Sequence, residues 1–225
     1  MTEHAAIYAE ARQRLSELVL AADPERLAVA VPASPAWSSR DVVAHVTGIV
    51  ADIQAGNLTG VGTEPWTQAQ VDARRGRSLA EVVEEWSTTA PVLEGLMGTL
   101  PPRVGEGLIG DLACHEADVR GALGEAPLRD APSTEVALAV YLARLGKRIS
   151  GAGLPSLRVC AGDTETIAGS GEPGTSVRAD PFELFRAVTG RRSAEQIRAF
   201  AWDGDPEPYI PVFSTYGLPS APLTD

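Results

Sequence analysis

The stretch Gly110-Asp111-Leu112-Ala113-Cys114-His115-Glu116-Ala117-Asp118 limits what this chain can fold into more than any other. Its spacing predicts one helix from about Gly107 to Leu123, stopped by Gly124, a residue type favoured at helix C-termini. Positions three and four apart share a helical face, so Asp111, His115 and Asp118 line one side of that helix. Leu108, Leu112 and Val119 lie close to the same side, so the face is expected to be at least partly buried. Two carboxylates and an imidazole there must be paired, hydrogen-bonded or bound to something, because burial strips them of water.

The rest of the chain supplies partners for such a face. Residues 3–22 recur at helical spacing through Ala6, Ile7, Ala11, Leu15, Leu18 and Val19. After Asp23-Pro24, the segment Arg26 to Trp37 carries Pro32 and Pro35 and reads as an extended connection. Ser38 with Asp41 three residues on marks the start of a second helix, with the apolar stripe Val42, Val46, Ile49, Val50 and Ile53. His45 falls inside that stripe and is expected to face the core. Residues 54–77, with their glycines, Pro65 and Trp66, show no sustained period and read as a long loop that could act as a lid. Ser78 with Glu81 opens a third helix to about Thr99, and Pro101-Pro102 closes it before the Asp111/His115 helix. A further helix follows from Ser133 to about Gly151.

Composition then changes. Gly151-Ala152-Gly153-Leu154-Pro155 reads as a hinge, Leu157 to Cys160 and Glu165 to Ala168 as strands, and Asp180-Pro181 as the start of a short helix ending at Gly190. Ser193 with Gln196 caps one more turn. The fold class expected is α+β: an up-down bundle of four helices plus a fifth over residues 1–152, then a small α/β domain over residues 153–225.

Among the three histidines, His45 and His115 both project from apolar helical faces, and Asp111 stands one turn before His115. Two imidazoles and a carboxylate on facing helices make a three-ligand metal set with an open fourth position, as in catalytic zinc sites. The same set suits an iron(II) facial triad. Asp118 would then support a ligand from behind, or pair with Arg120 or Arg40. The plainer alternative is that each histidine is a satisfied core residue and Asp111/His115 an internal hydrogen bond or a solvated face. Spacing alone leaves both open, since two helices must face each other for a metal to be held.

Several functions are disfavoured by composition. A net charge of −11 gives no basic footprint for nucleic acid. The cluster Arg74-Arg75-Gly76-Arg77 could hold a local anion or simply be a solvated loop. Lys147 is the single lysine beside eighteen arginines, so amine-nucleophile chemistry has one candidate and no motif. Cys114 and Cys160 are isolated and expected to be buried and reduced. No apolar run reaches membrane-spanning length and no secretory signal is legible at Met1, so a cytoplasmic protein is expected.

A family resemblance follows from three motifs in order. Ala36-Trp37-Ser38-Ser39-Arg40-Asp41-Val42-Val43-Ala44-His45-Val46 resembles the W-x-x-x-x-(L/V)-x-A-H-(V/L) helix of the mycothiol-dependent maleylpyruvate isomerase family. Asp111-x-x-x-His115-x-x-Asp118 is similar to that family's E-x-x-x-H-x-x-D helix, which belongs to a DinB-like bundle. Thr189-Gly190-Arg191-Arg192-Ser193 resembles the G-R-x-S element of its small, sterol-carrier-protein-like C-terminal domain. The resemblance implies a divalent metal, zinc, held by His45, Asp111 and His115, with aspartate in place of the family's glutamate. It implies a catalytic role for Arg191, whose planar fork suits a substrate carboxylate. The family's further arginine before the third helix has no counterpart in Trp66-Thr67-Gln68-Ala69-Gln70-Val71-Asp72; Arg74 and Arg75 come later.

The function implied is that of an enzyme in which metal-bound thiolate of mycothiol, as cosubstrate, attacks a small electrophile. Cis–trans isomerisation of a maleylpyruvate-type acid comes first and mycothiol S-transfer second. A member of another class, a non-catalytic bundle that keeps a metal and binds a small molecule, is the contrasting expectation.

Overall fold

The computed structural model describes residues 2–224, which divide into two compact units at Pro127/Leu128. In the first unit, helix α1 spans Glu3–Ala21 and is followed by the short α2, Pro24–Leu27. Strands β1 (Ala30–Val31) and β2 (Ser34–Ser38) pair antiparallel, so the proline-bearing segment is a small ribbon rather than a plain extended connection. Helices α3 (Ser39–Ala55), α4 (Glu64–Asp72), α5 (Leu79–Leu96) and α6 (Pro102–Ala122) complete the unit.

Local chemistry explains where these helices start. Ser38 and Asp41 form a reciprocal capping box at the head of α3, and Ser78 and Glu81 form another at α5. Each satisfies backbone N–H groups that the first turn leaves without partners. Helix α6 begins at Pro102, a turn earlier than its apolar period suggests, because proline at the first helical position needs no N–H partner. It ends before Gly124, which takes φ +66°.

Helices α1 and α3 each pack against both α5 and α6. Their shared core holds Tyr8, Leu15, Val42, Val43, Trp86, Leu93, Ile109 and Leu112, all nearly or fully buried. Arg14 of α1 clamps Glu116 of α6 with two parallel hydrogen bonds of 3.1 and 2.9 Å. Glu116 is 3% exposed, so this pairing is what allows the carboxylate inside.

The stretch 54–77 is not a structureless loop. Helix α4 lies within it, docked on α3 through buried Trp66, Gln70 and Val71. The approach is close at Gly48 of α3, where an added Cβ would stand 2.4 Å from Gln70 Cβ and 2.9 Å from Arg74 Nη1. Replacing Gly48 with alanine should therefore push α4 outward and cost about 1–3 kcal/mol, as overpacking does. A lower urea midpoint at unchanged m-value would register it.

In the second unit, helix α7 (Pro132–Gly151) is followed by strands β3 (Ser156–Ala161), β4 (Thr164–Ala168) and β5 (Pro173–Ala179). Helices α8 (Pro181–Val188) and α9 (Ala194–Arg198) and strand β6 (Ala201–Asp203) come next, then a 3₁₀ turn at Ile210–Val212. The sheet order is β4-β3-β5-β6, with β3 and β5 parallel and the outer pairs antiparallel. Helix α7 packs on β3, β4 and α8 and so lies in the second unit, not in the bundle as its fifth helix. Asp180 caps α8 by accepting from Phe182 and Glu183 N–H, and a third capping box joins Ser193 and Gln196 at α9. Among the described residues no helix is long and apolar enough to cross a membrane.

Candidate metal centre

Helices α3 and α6 bring His45 and His115 together, with ring centroids 5.0 Å apart and planes at 84°. His45 sits seven residues into α3 on its buried stripe, and His115 shares a face of α6 with buried Leu112 and Val119. Asp111, one turn before His115, points its two oxygens at different imidazoles. Oδ2 lies 3.9 Å from His45 Nε2, and Oδ1 lies 3.8 Å from His115 Nε2. Both separations are too long for hydrogen bonds. One donor atom from each of the three residues falls within 4.8 Å of the other two. Bonds of about 2 Å to one tetrahedral ion place two donors roughly 3.3 Å apart, so the three side chains would have to draw together to seat a metal.

Burial divides the three residues. His45 and His115 are 3% and 8% exposed, while the Asp111 side chain is 34% exposed, so the cluster opens to solvent on the aspartate side. Desolvation lowers the His45 pKa to about 4, with the His115 ring adding to the shift and the Asp111 carboxylate and Gln70 opposing it. His45 is thus neutral near pH 7, the form that ligates a metal.

Groups behind the ligands complete the surroundings. The Asp118 side chain is fully buried with Oδ2 3.3 Å from His115 Nδ1. His45 Nδ1 lies 2.7 Å from Gln70 Oε1, and Gln70 Nε2 donates to Asp52 Oδ2 at 2.6 Å. The Trp37 ring stands 4.9 Å from His45 and 6.4 Å from His115, forming one wall, and its indole N–H donates to Gln68 Oε1 at 3.1 Å. Tyr8 of α1 is near enough to feel the Asp111 charge, and burial pushes its hydroxyl pKa well up.

Gln70 and Tyr8 carried no signal in the sequence as site residues. Gln70 is a polar residue in an aperiodic stretch, and Tyr8 is one more position on the stripe of α1. Trp37 was visible only as part of a motif.

The arginines have other partners than a free anion. Arg74 is 7% exposed and binds Glu85 at 3.0 and 2.5 Å and the Gln70 carbonyl at 3.0 Å. Arg77 also pairs with Glu85, and Arg75 with Asp72 at 2.7 Å. Arg191 lies in the second unit, just after Gly190 at φ +79°, and is 8% exposed. Its Nη1 donates to the Thr189 carbonyl at 2.6 Å. His4 is half-buried on α1 beside Gly105 of α6. Cys114 and Cys160 are buried, and neither forms a disulfide.

Fold and site together define a DinB-like helical bundle with a candidate metal centre between α3 and α6, followed by a mixed α/β unit. Residues 8–113 match the family model of the mycothiol maleylpyruvate isomerase N-terminal domain. The match includes His45 and Asp111 and stops two residues before His115. Two solved structures are similar in fold. One is a histidine-to-alanine mutant of the mycothiol-dependent maleylpyruvate isomerase, at 11% identity and TM-score 0.59, covering 89% of this chain and 92% of that one. The other is the mycothiol-dependent maleylpyruvate isomerase, at 14% identity and TM-score 0.59, covering 84% and 88%. A search of curated proteins gives no match.

Proposed function

We propose that this protein is a zinc- and mycothiol-dependent enzyme that acts on a small electrophile at the cluster of His45, Asp111 and His115. The observation that carries this reading is the convergence of three donor atoms within 4.8 Å, from two helices of a bundle whose residues 8–113 match this family's model. His45 and His115 would each offer Nε2, and Asp111 one carboxylate oxygen. Asp111 Oδ2 and Oδ1 stand 3.9 and 3.8 Å from the two imidazoles, which supports a three-ligand set with aspartate in place of glutamate. When bound, zinc in such a set lowers the pKa of a thiol at its open position and makes thiolate available at neutral pH. The exposed side of Asp111 leaves room for that thiol, and Trp37 shields the histidines from water. Arg191 is assigned to the substrate carboxylate, for which its planar fork is suited.

The reaction assigned first is isomerisation. Mycothiol thiolate adds to the cis double bond of a maleylpyruvate-type acid, the resulting single bond rotates, and elimination of the thiol gives the trans product. S-transfer is kept as the second reading, because Arg74 is committed to Glu85 and to the Gln70 carbonyl. It therefore does not supply the family's second arginine. Thiol balance separates the two: isomerisation returns mycothiol, whereas transfer consumes it one for one.

Elemental analysis is the first test. One zinc per chain, and a rise in melting temperature on adding zinc to stripped protein, are expected. A ligand at a hundred times its Kd stabilises by about 2.7 kcal/mol. Mycothiol, and not glutathione, should raise stability further in the zinc-loaded protein. No stoichiometric zinc and an unmoved melting curve would leave the non-catalytic reading in its place. Arg191→Ala should lower turnover while zinc content stays at one; loss of zinc in that variant contradicts its assignment.

A further inference from the structure

We propose that Gln70 is a positioning residue that determines which nitrogen of His45 is available to a metal. This rests on the metal-centre reading above, and it adds a residue outside the three ligands. A carboxylate only accepts hydrogen bonds, so the Gln70 amide must turn its Nε2 toward Asp52 Oδ2, 2.6 Å away. Asp52 also accepts from Asn57 Nδ2 at 2.9 Å, which holds the carboxylate in place.

With its N–H₂ directed at Asp52, Gln70 can present only its carbonyl oxygen to His45. An amide oxygen cannot donate, so the 2.7 Å contact requires the His45 proton to sit on Nδ1. The lone pair is then on Nε2, the nitrogen that faces Asp111. Gln70 and His45 are both 3% exposed, so bulk water cannot substitute for either partner.

The backbone at Gln70 is held as carefully as its side chain. Arg74 Nη1 donates to the Gln70 carbonyl at 3.0 Å, and the missing side chain at Gly48 lets Gln70 approach α3. Asp52 and Gln70 thus form a two-residue relay ending on a ligand histidine. Such outer partners commonly contribute about 10–100-fold to metal affinity.

The test reads the tautomer directly, in metal-free protein labelled with ¹⁵N at histidine, by two-bond proton–nitrogen correlations. The His45 signals are those lost in His45→Ala. Wild-type His45 is expected to carry its proton on Nδ1. Gln70→Leu should move the proton largely to Nε2 and weaken zinc binding by about 10–100-fold in competition with a chromophoric chelator. Gln70→Glu retains an acceptor, so the Nδ1–H form should persist and zinc affinity should stay nearer wild type.

A wild-type His45 protonated on Nε2 overturns the proposal, as does an unchanged tautomer in Gln70→Leu. If Gln70→Leu does not fold, the wild-type and Gln70→Glu spectra still decide. Wild-type protein that shows the Nδ1–H form yet binds no zinc would sink the metal reading and leave the role of Gln70 in setting the tautomer intact.

Discussion

Purified His115→Ala protein should contain almost no zinc, where the parent is expected to contain one ion per chain. A structural zinc site with four protein ligands is worth about 10–16 kcal/mol, so one ligand carries roughly 3 kcal/mol, more than a hundredfold in Kd. The centre here has only His45, Asp111 and His115 to lose, and no other carboxylate or imidazole joins the cluster among the described residues. Asp118 lies behind His115 on its Nδ1 side and is fully buried, so it cannot step forward as a substitute. Zinc should then no longer raise the melting temperature, and thiol-dependent turnover should fall with metal content. His4→Ala, which removes a histidine outside the cluster, serves as the control and should keep its zinc. Equal metal content in His115→Ala and wild type would refute the centre outright.

The second large effect concerns the bundle itself. Trp86 of α5 is completely buried and is the largest side chain in the core. Trp86→Ala removes an entire indole from α5, which packs on α1 and α3, and such changes cost about 3–5 kcal/mol. That is a large part of the roughly 5–15 kcal/mol by which domains are stable. Chemical denaturation followed by circular dichroism should show the loss. Trp86→Phe keeps much of the volume and should lose far less. Identical denaturation midpoints for Trp86→Ala and wild type would mean that this position does not hold the bundle together.

The parts of the fold readable in advance share one property: the interaction that produces them closes within a few residues. Ser38/Asp41, Ser78/Glu81, Ser193/Gln196 and the Asp180 cap all satisfy helix N-termini inside a single turn, and all are present. The pairing of Asp111 with His115 is equally local, because four residues return the chain to the same face. That α3 would face α6 depends on packing between distant segments, and no spacing states it; the motif resemblance suggested it.

Helix α4 escaped notice because one of its anchors is Gln70, a polar residue buried by bonds to His45 and Asp52 and therefore silent in an apolar pattern. Its proline, in the first turn, reads as loop punctuation and as a helix start equally well. For α7 the amphipathic stripe announces a partner without naming it. The close approach of Gly146 to the backbone at Gly169 ties the helix to the strands that follow it.

The docking of α4 has a consequence for how the centre responds to its surroundings. A helix that touches a ligand histidine through one amide, and rests on α3 across a glycine, makes metal grip and segment position two readings of one equilibrium. If the cluster holds a metal as proposed, whatever draws α4 away should loosen the ion, and by thermodynamic reciprocity the ion should hold α4 down with the same free energy. Zinc titration thus doubles as a gauge of that segment: slower amide exchange across residues 64–72 on loading would measure the coupling.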